Sequence, residues 1–352
     1  MRGRLQESTA GSDKMGKTYE DLKREVWDKG ICSGCGACVA VCPANAIIFK
    51  KGENSEAPVN TGYCKEINDH VKCGACYAVC PRTEEAISFK KMLGDYISIG
   101  SARSAFEVPG RQSGGAVTAI LANAFESGLI DAVITVSEDR WMHEPFSVLI
   151  TSNEAIKSSA GSRYNWWVPT LAALSEAVIK RKFSRIAVVA TPCAAQALRR
   201  MKESDNDLLK PFGNSIRLIV GLFCTETFDY GKLIQEKLKS ELDIEPWNIG
   251  GFDVKGKLEI RMNDGSVQNV PLKDLEDCIR PGCLHCTDFT AVDSDISAGS
   301  VGSEEGFTTL IIRNKEGKGF VDSAVRNGKL EFIEEYDPIP VEKLAEQKSK
   351  RK

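Results

Sequence analysis

The sequence contains no apolar run near the roughly 18–20 residues that a membrane-spanning helix requires. Residues 1–17 mix arginine, glutamate, serine and aspartate, and they lack the apolar core of a signal peptide. Both absences predict a cytoplasmic protein. Any position at the cytoplasmic face of a membrane would then depend on partner subunits.

Positive charge is not in excess either, since 46 Lys and Arg stand against 49 Asp and Glu and the net charge is −3. A nucleic-acid-binding domain would show a basic surplus, so we expect no nucleic-acid partner. Neither G-x-G-x-x-G nor G-x-x-x-x-G-K-[ST] occurs, so neither a standard dinucleotide fold nor a P-loop is indicated.

Cysteine, by contrast, is abundant: the chain has thirteen, and most stand in short runs. In a large chain without an export signal, such runs indicate metal or redox sites in preference to disulfides. The first run, Cys32-x2-Cys35-x2-Cys38-x3-Cys42-Pro43, has the spacing of bacterial ferredoxins. Zinc ribbons use two separated CxxC pairs instead, so this run predicts a 4Fe–4S cluster.

A second, irregular run belongs to an internal repeat of residues 35–51 at 73–91. Cys73-x2-Cys76-x3-Cys80-Pro81 has His70 where a first cysteine is expected, and Cys64 is the available substitute. We predict that His70 is an ordinary loop histidine. In ferredoxins the fourth cysteine of each run binds the other cluster. The predicted ligands are therefore Cys32, Cys35, Cys38 and Cys80 for one cluster, and Cys64, Cys73, Cys76 and Cys42 for the other.

The remaining five cysteines predict a third cluster. Cys278, Cys283 and Cys286 form a dense trio, and Cys193 and Cys224 each end a predicted strand. Because the ends of parallel strands meet at one edge of a sheet, we expect one of these two to complete the site, leaving one cysteine over. Two alternatives stay open: a zinc ion at the trio, and roles for Cys193 and Cys224 as buried small apolar residues.

Two small-residue segments are candidates for phosphate or flavin binding. Residues 111–115 lead into a helix and offer free N–H groups, a helix dipole and a cation. Residues 298–303 would let backbone approach a planar ligand closely. Taken alone, the first segment is equally typical of an ordinary glycine-rich helix start.

The order of elements predicts an α+β ferredoxin-like module with two clusters, followed by an α/β catalytic domain with a mixed sheet. Strands are expected at 131–137, 185–191, 215–224, 308–313 and 329–334, helices at 113–127, 167–182 and from Pro192, and a hairpin around 263–265. The expected units are a flexible extension at 1–17, the ferredoxin module at 18–95, the catalytic domain at 96–340 and a polar tail at 341–352.

These motifs together resemble the family of coenzyme F420 hydrogenase/dehydrogenase beta subunits, over residues 19–317. Besides the cysteine runs, the resemblance rests on residues 111–121, 160–165, 190–200, 221–226, 278–291 and 295–313. Within the family, the chain most resembles the input subunit of the archaeal reduced-F420 dehydrogenase. Its length suits a self-contained module, and both ferredoxin runs are present.

The resemblance implies FAD beside a 4Fe–4S cluster in the catalytic domain and coenzyme F420 as substrate. No catalytic side chain is identified. The implied cofactor-binding residues are Arg111, Gln112, Ser113, Gly114, Gly115, Thr118, Ser162, Arg163, Tyr164, Ser300 and Gly302. For the anionic tail of F420 we expect a basic pocket, with Arg163, Arg199 and Arg200 as candidates.

The expected activity is oxidation of reduced F420 by hydride transfer to FAD, with single electrons leaving through the clusters. The electron-accepting partner would be a membrane-bound respiratory complex or a ferredoxin. One alternative is the beta subunit of an F420-reducing hydrogenase or formate dehydrogenase. Others are a ferredoxin-dependent flavin reductase of another substrate, and an electron-transfer module without a substrate of its own.

Overall fold

The computed structural model of the chain describes residues 16–50, 57–84, 92–163, 169–254 and 256–351. Most of the expected N-terminal extension, the end of the second repeat copy at 85–91, and Tyr164 lie outside these ranges. Within the ranges, no helix is long and apolar enough to cross a membrane.

Each cysteine run of the ferredoxin module turns into a short helix at a glycine. Gly36 (φ 81°) and Gly74 (φ 65°) occupy the left-handed region, which costs glycine nothing because it has no Cβ. The repeated Cys-Gly-Ala-Cys sequence therefore makes the same turn twice. The helices are α1 (Tyr19–Leu22), continued as a π-helical turn over Lys23–Trp27, α2 (Ala37–Val41), α3 (Lys65–Asp69) and α4 (Ala75–Ala78). Strands β1 (Ile47–Ile48) and β2 (Val59–Asn60) pair antiparallel.

The larger domain, residues 92–351, is built on strands that are rich in β-branched and small residues. They are β3 (Ser98–Ser104), β4 (Ala132–Glu138), β5 (Pro145–Ile150), β6 (Ile186–Ala190), β7 (Ile216–Leu222), β8 (Ile249–Val254), β9 (Lys257–Met262), β10 (Val267–Pro271), β11 (Ile296–Gly299), β12 (Thr308–Ile312) and β13 (Leu330–Ile333). Eight of them form one mixed sheet in the order β13-β3-β12-β11-β7-β6-β4-β5. The four strands β11, β7, β6 and β4 are parallel, and the outer pairs are antiparallel.

The helices of this domain cover both faces of the sheet. They are α5 (Ala116–Glu126), α6 (Asn153–Ser158), α7 (Pro192–Glu203), α8 (Lys210–Ser215), α9 (Pro281–Leu284), α10 (Lys315–Arg326) and α11 (Pro338–Ser349). The π-helical segments Glu176–Lys180 and Gly231–Glu241 and the 3₁₀ segments Pro246–Asn248 and Leu272–Cys278 complete the set. The predicted mixed-sheet architecture is confirmed. Strands β3, β5 and β11 were not predicted, and within the described part the helix expected at 167–182 is helical only over residues 174–180.

A small lobe is formed by β8, β9 and β10 with the helix Gly231–Glu241, and the predicted turn at 263–265 joins β9 to β10. His143, in the turn after β4, ties this lobe to the main sheet. Its Nε2 lies 3.0 Å from the carbonyl oxygen of Ile249, and its Nδ1 lies 3.7 Å from Glu138 Oε1. Burial lowers the pKa of His143, but the Glu138 carboxylate outweighs that effect and raises it above the usual value.

The ferredoxin module shares a hydrophobic core with the larger domain. Ala37, Ala40 and Val79 of the module pack in one cluster with Leu198 and Ile219 of the sheet layer. This shared core packs the module against the sheet layer.

The C-terminal segment differs from the expected polar tail at 341–352. Helix α11 begins earlier, at Pro338, and buries Val341 and Ala345 against Phe289. Lys348, one turn further on, is 3% exposed. The tail looks polar because most of its residues face solvent, while one stripe of the helix is buried.

Candidate iron–sulfur and flavin sites

The thiols of the first predicted cluster lie together in the core of the ferredoxin module. Cys38 and Cys80 are buried in one cluster, and Cys32 packs against it. Burial raises the pKa of Cys38 well above its usual value, and the nearby Cys32, Cys35 and Cys80 thiolates raise it further. Thiols that act on one another in this way are close in space, and bound iron would favour their deprotonated forms. We call Cys32, Cys35, Cys38 and Cys80 site one.

The thiols of the second predicted cluster line one pocket of the module. Cys42, Cys64, Cys73 and Cys76 all contribute to its wall. Cys64 stands immediately before α3, which turns the chain back toward the second run. His70 is exposed at the end of α3, in the left-handed region at φ 54°, and does not line the pocket. The structure therefore brings Cys64 to the other three thiols, which we call site two.

Four cysteines of the larger domain line a third cavity, although they are far apart in the sequence. Cys193 follows β6 and Cys224 follows β7, and these strands are parallel neighbours, so both cysteines lie at the same edge of the sheet. Cys283 and Cys286 come from α9 and the turn after it. We call Cys193, Cys224, Cys283 and Cys286 site three.

Cys278 is not part of site three, and here the predicted ligand set needs correction. Cys278 is 5% exposed and lies in the apolar core of the small lobe with Phe228, Leu233 and Leu275. It is the last residue of a 3₁₀ segment that packs on the helix Gly231–Glu241, and this turns it away from the cavity. Cys193 and Cys224 thus both line the site, and Cys278 is the cysteine left over.

Cationic side chains surround site three. Arg82, Arg280 and Lys348 all line the cavity, and the buried Nε of Arg82 has no hydrogen-bond partner among the described residues. Burial would raise the pKa of Cys286, but Lys348 and Arg82 outweigh it and lower that pKa below the usual value. A thiolate is the form that binds metal, so the site is poised electrostatically for metal binding.

The donor set of site three consists of thiols that are buried. Burial raises the pKa of Cys193 to about 11 and that of Cys224 further, so these thiols are costly to ionise without bound metal. Four cysteine thiols around one cavity are a donor set that fits either a 4Fe–4S cluster or a zinc ion.

Site three and site one share a wall. Cys35 of site one lines the site-three cavity, and its carbonyl oxygen accepts a hydrogen bond of 3.0 Å from the Leu171 N–H. A Cβ on Gly282 would overlap the carbonyl of Cys32. The two segments approach so closely because glycine stands at the contact.

The two segments implied to hold FAD are residues 111–115 and 162–164, which we call the flavin segments. Their described residues are neighbours. The Gln112 side chain connects them, because its Oε1 accepts a hydrogen bond of 3.1 Å from the Ser162 N–H. Its Nε2 donates to Asp253 Oδ1 of β8 at 2.6 Å. The flavin segments therefore lie between the main sheet and the small lobe, at the N-terminus of α5.

Residues 111–118 differ in what they can offer a ligand. Arg111 is exposed, and Thr118 lies in the first turn of α5. Ser113 (φ 56°) and Gly115 (φ 68°) shape the turn into that helix. The backbone N–H of Gly114, however, already has a partner within the protein, because it donates to Thr308 Oγ1 at 3.0 Å.

Within the segment 298–303, Gly302 is covered by α11, which corrects the expectation that this glycine would let backbone approach a planar ligand. The Gly302 carbonyl oxygen accepts a hydrogen bond of 2.7 Å from the Asp337 N–H, and a Cβ on Gly302 would overlap Val341. Its small size lets α11 approach. Ser300, at the end of β11, is exposed.

The expected basic pocket of Arg163, Arg199 and Arg200 does not form. Arg199 donates to the buried Asp295 at 2.7 Å, and Arg200 Nε donates to the carbonyl of Ala78 in the ferredoxin module at 2.8 Å. Arg163 lies elsewhere, beside the flavin segments, where its Nη1 donates to backbone carbonyls of residues 159–161. Two of the three arginines thus hold the fold together.

Sequence reasoning missed the three cations of site three. Arg82 directly follows Cys80-Pro81, and Arg280 lies between Cys278 and Cys283, so their places beside ligand cysteines were a usable signal. Lys348 offered none, since it is one of several lysines in a polar segment.

Comparison with known proteins agrees with this geometry. Residues 31–84 match the 4Fe-4S dicluster domain. Residues 99–175 and 183–337 match the N-terminal and C-terminal parts of the coenzyme F420 hydrogenase/dehydrogenase beta subunit. The chain belongs to this family.

Two relatives match nearly the whole chain, and a solved structure matches three quarters of it. An uncharacterised protein of Methanocaldococcus jannaschii is 45% identical, over 95% of this chain and 98% of its own length. A subunit of the F(420)H(2) dehydrogenase of Methanosarcina mazei is 34% identical, over 93% and 91%. A chain of the F420-reducing [NiFe] hydrogenase complex of Methanosarcina barkeri superposes with a TM-score of 0.69 at 31% identity, over 75% of this chain and 92% of that one.

Family and geometry together establish an F420-linked electron-transfer subunit with a 4Fe–4S dicluster domain. The most identical of these relatives is uncharacterised, so identity alone does not assign the chain to one particular complex.

Proposed function

We propose that the chain catalyses the oxidation of reduced coenzyme F420 and delivers the electrons one at a time to a partner, with FAD and three 4Fe–4S clusters as its cofactors. The single observation that carries this proposal is site three: four cysteines and three cations around one cavity, sharing a wall with site one. When bound, FAD would exchange a hydride with the deazaflavin and single electrons with iron–sulfur clusters.

The residues of the chain order these cofactors in space. Gln112 joins the two flavin segments, and Thr170, which lines site three, follows Arg163 by seven positions in the sequence. Seven residues of fully extended chain span at most about 25 Å, so Thr170 lies within that distance of Arg163. Site one shares the wall of site three, and site two lies in the module beyond it.

This order supports site two as the place from which electrons leave. Its pocket is lined by Tyr63, which is 39% exposed, and by Cys64, which is half-buried. Site one, by contrast, faces the larger domain. The partner is therefore expected at the surface around Cys64, and a membrane-bound complex or a ferredoxin both fit a one-electron exit.

The dehydrogenase assembly is supported over the hydrogenase assembly by sequence coverage. The alignment with the F(420)H(2) dehydrogenase subunit extends over 93% of this chain, whereas that with a coenzyme F420 hydrogenase beta subunit extends over 74%. The present chain contains both a dicluster module and the larger domain.

Purified full-length protein tests the proposal by its flavin content and by oxidation of reduced F420 with an artificial acceptor. We expect bound FAD and F420 oxidation together. Flavin without F420 activity would favour a reductase of another substrate, and the absence of flavin would leave an electron-transfer module.

A pair of variants sharpens this test. Arg111→Ala should lower FAD occupancy while leaving the iron content unchanged, because Arg111 stands at the flavin segment and away from the cysteines. Arg326→Ala is the matched control, since Arg326 is an exposed arginine at the end of α10. Equal FAD occupancy in both variants would contradict the assignment of the flavin segment.

A further inference from the structure

Lys348 places a buried positive charge at site three. The residue is 3% exposed, lines the cavity, and donates a hydrogen bond from Nζ to the carbonyl oxygen of Cys224. Lysine is almost never fully buried unless it is paired. Asp288, a buried carboxylate, is close enough to act on the Lys348 ammonium group.

Packing of α11 fixes the position of this ammonium group. Val341, Ala345 and Lys348 follow the i, i+4, i+7 spacing of a single helix stripe, and the first two are buried against Phe289. Lys348 therefore continues an apolar stripe and enters the cavity at its end.

Arg351 anchors the chain on the other side of Lys348. Its Nη1 donates to the carbonyl oxygens of Thr225 at 2.7 Å and Cys283 at 3.0 Å, and its Nη2 pairs with Glu226. Packing before Lys348 and hydrogen bonds after it hold this residue at the cavity.

We propose that Lys348 is a positioning residue that raises the reduction potential of the site-three cluster, an inference that rests on the proposed function. The cluster gains one electron on reduction and Lys348 keeps its proton, so the charge around the cavity becomes more negative by one. A fixed, buried positive charge stabilises that state more strongly than an exposed one, because the surrounding dielectric is lower. Net charge and solvent exposure are among the factors that set cluster potentials.

Lys348 would thereby influence the direction of electron transfer. A raised potential at site three would favour transfer of electrons from the flavin side, and the C-terminal helix, remote in sequence from every cysteine run, would control that step. Arg82 and Arg280 line the same cavity, so Lys348 contributes one share of the total positive charge.

The experiment is a redox titration of the full-length holoprotein, followed by electron paramagnetic resonance and accompanied by iron analysis. Lys348→Gln keeps a donor for the Cys224 carbonyl but removes the charge, and Lys348→Met removes both. Lys348→Arg keeps the charge. Lys350→Gln is the matched control, because Lys350 is an exposed lysine of the same segment that pairs with Glu346.

We expect the two neutral variants to have a site-three cluster about tenfold harder to reduce, a fall of about 59 mV for a one-electron couple. Lys348→Arg and Lys350→Gln should keep the wild-type potential. Unchanged potentials in neutral variants with full iron content would overturn the proposal. So would loss of the third cluster from both, because Lys348 would then act in assembly. A wild-type protein with only two clusters would instead overturn the proposed function itself.

Discussion

Replacing Cys278 and Cys224 separately tests how the structure divides the larger domain's cysteines. By sequence, Cys278 belongs to a trio with Cys283 and Cys286, and Cys224 is an isolated residue. By structure, Cys224 lines site three and Cys278 lies in the small-lobe core. Sequence and structure thus make opposite predictions for Cys278→Ala, and the structure assigns to Cys224 a role that the sequence left open between Cys193 and Cys224.

The magnitudes follow from these positions. Three 4Fe–4S clusters give about twelve irons per chain, so Cys224→Ala should retain about eight and Cys278→Ala about twelve. Cys278→Ala removes one sulfur from a packed core and should cost about 1 kcal/mol of unfolding free energy, as the loss of a buried methylene-sized group does. No thiol is among the groups that most affect the pKa of Cys278, which agrees with its distance from site three.

The assay is iron and sulfide analysis of anaerobically purified protein, with Cys64→Ala as the reference for a two-cluster variant. Cys64→Ala should lose site two and also retain about eight irons. A Cys278→Ala protein with about eight irons, or a Cys224→Ala protein with about twelve, would refute the assignment of site three.

Three further predictions concern the packing around these sites. His143→Gln should cost about 1–2 kcal/mol of stability at about pH 5.5 and less at about pH 8.5. The pKa of His143 is raised in the folded state. Its contribution to stability is therefore complete at pH values below the unfolded-state pKa near 6.5, and it is lost as the pH rises through the folded-state pKa. An equal loss of stability at both pH values would contradict this. Arg199→Met leaves Asp295 buried without its cation and should lower the free energy of unfolding, measured by urea denaturation, by about 3–5 kcal/mol. A decrease below about 1 kcal/mol would show that the ion pair is dispensable. Gly282→Ala should lower the free energy of unfolding by about 1–3 kcal/mol, because the added Cβ would overlap the ferredoxin module. Gly319→Ala should not, because no atom lies within 4 Å of its added Cβ. Equal stabilities of the two variants would contradict the close contact at Gly282.

Short-range patterns account for what could be read from the sequence of the ferredoxin module. Three cysteines within seven or eight residues, with glycine between them, leave few geometries other than a cluster turn, and both runs turn at glycine as that pattern predicts. Cys64 could be chosen because it was the one cysteine near the gap in the second run. The strands β6 and β7 were recognisable because a strand buried on both faces reads as a continuous apolar run.

The same reasoning failed where chemistry depends on contacts across the fold. Arg199 and Arg200 were expected to hold an anionic substrate, and instead they hold Asp295 and the ferredoxin module. Gly302 was expected to let a planar ligand approach the backbone, and instead its lack of a Cβ lets α11 pack against it. The sequence does not distinguish a free cationic side chain from a paired one, or an open glycine from a covered one. The contacting partner that makes the difference lies far away along the chain.

The sequence by itself determined the local chemistry of this protein: two ferredoxin runs, the strands of a mixed sheet, and enough motifs to indicate the F420 family. Only the tertiary structure decided which cysteines form site three, because spacing favoured Cys278 while the parallel pairing of β6 and β7 brings Cys193 and Cys224 together. It likewise brought Lys348 from an apparently polar tail into that cavity. Local turns depend on neighbouring residues, whereas a site assembled from strand ends depends on the topology of the sheet.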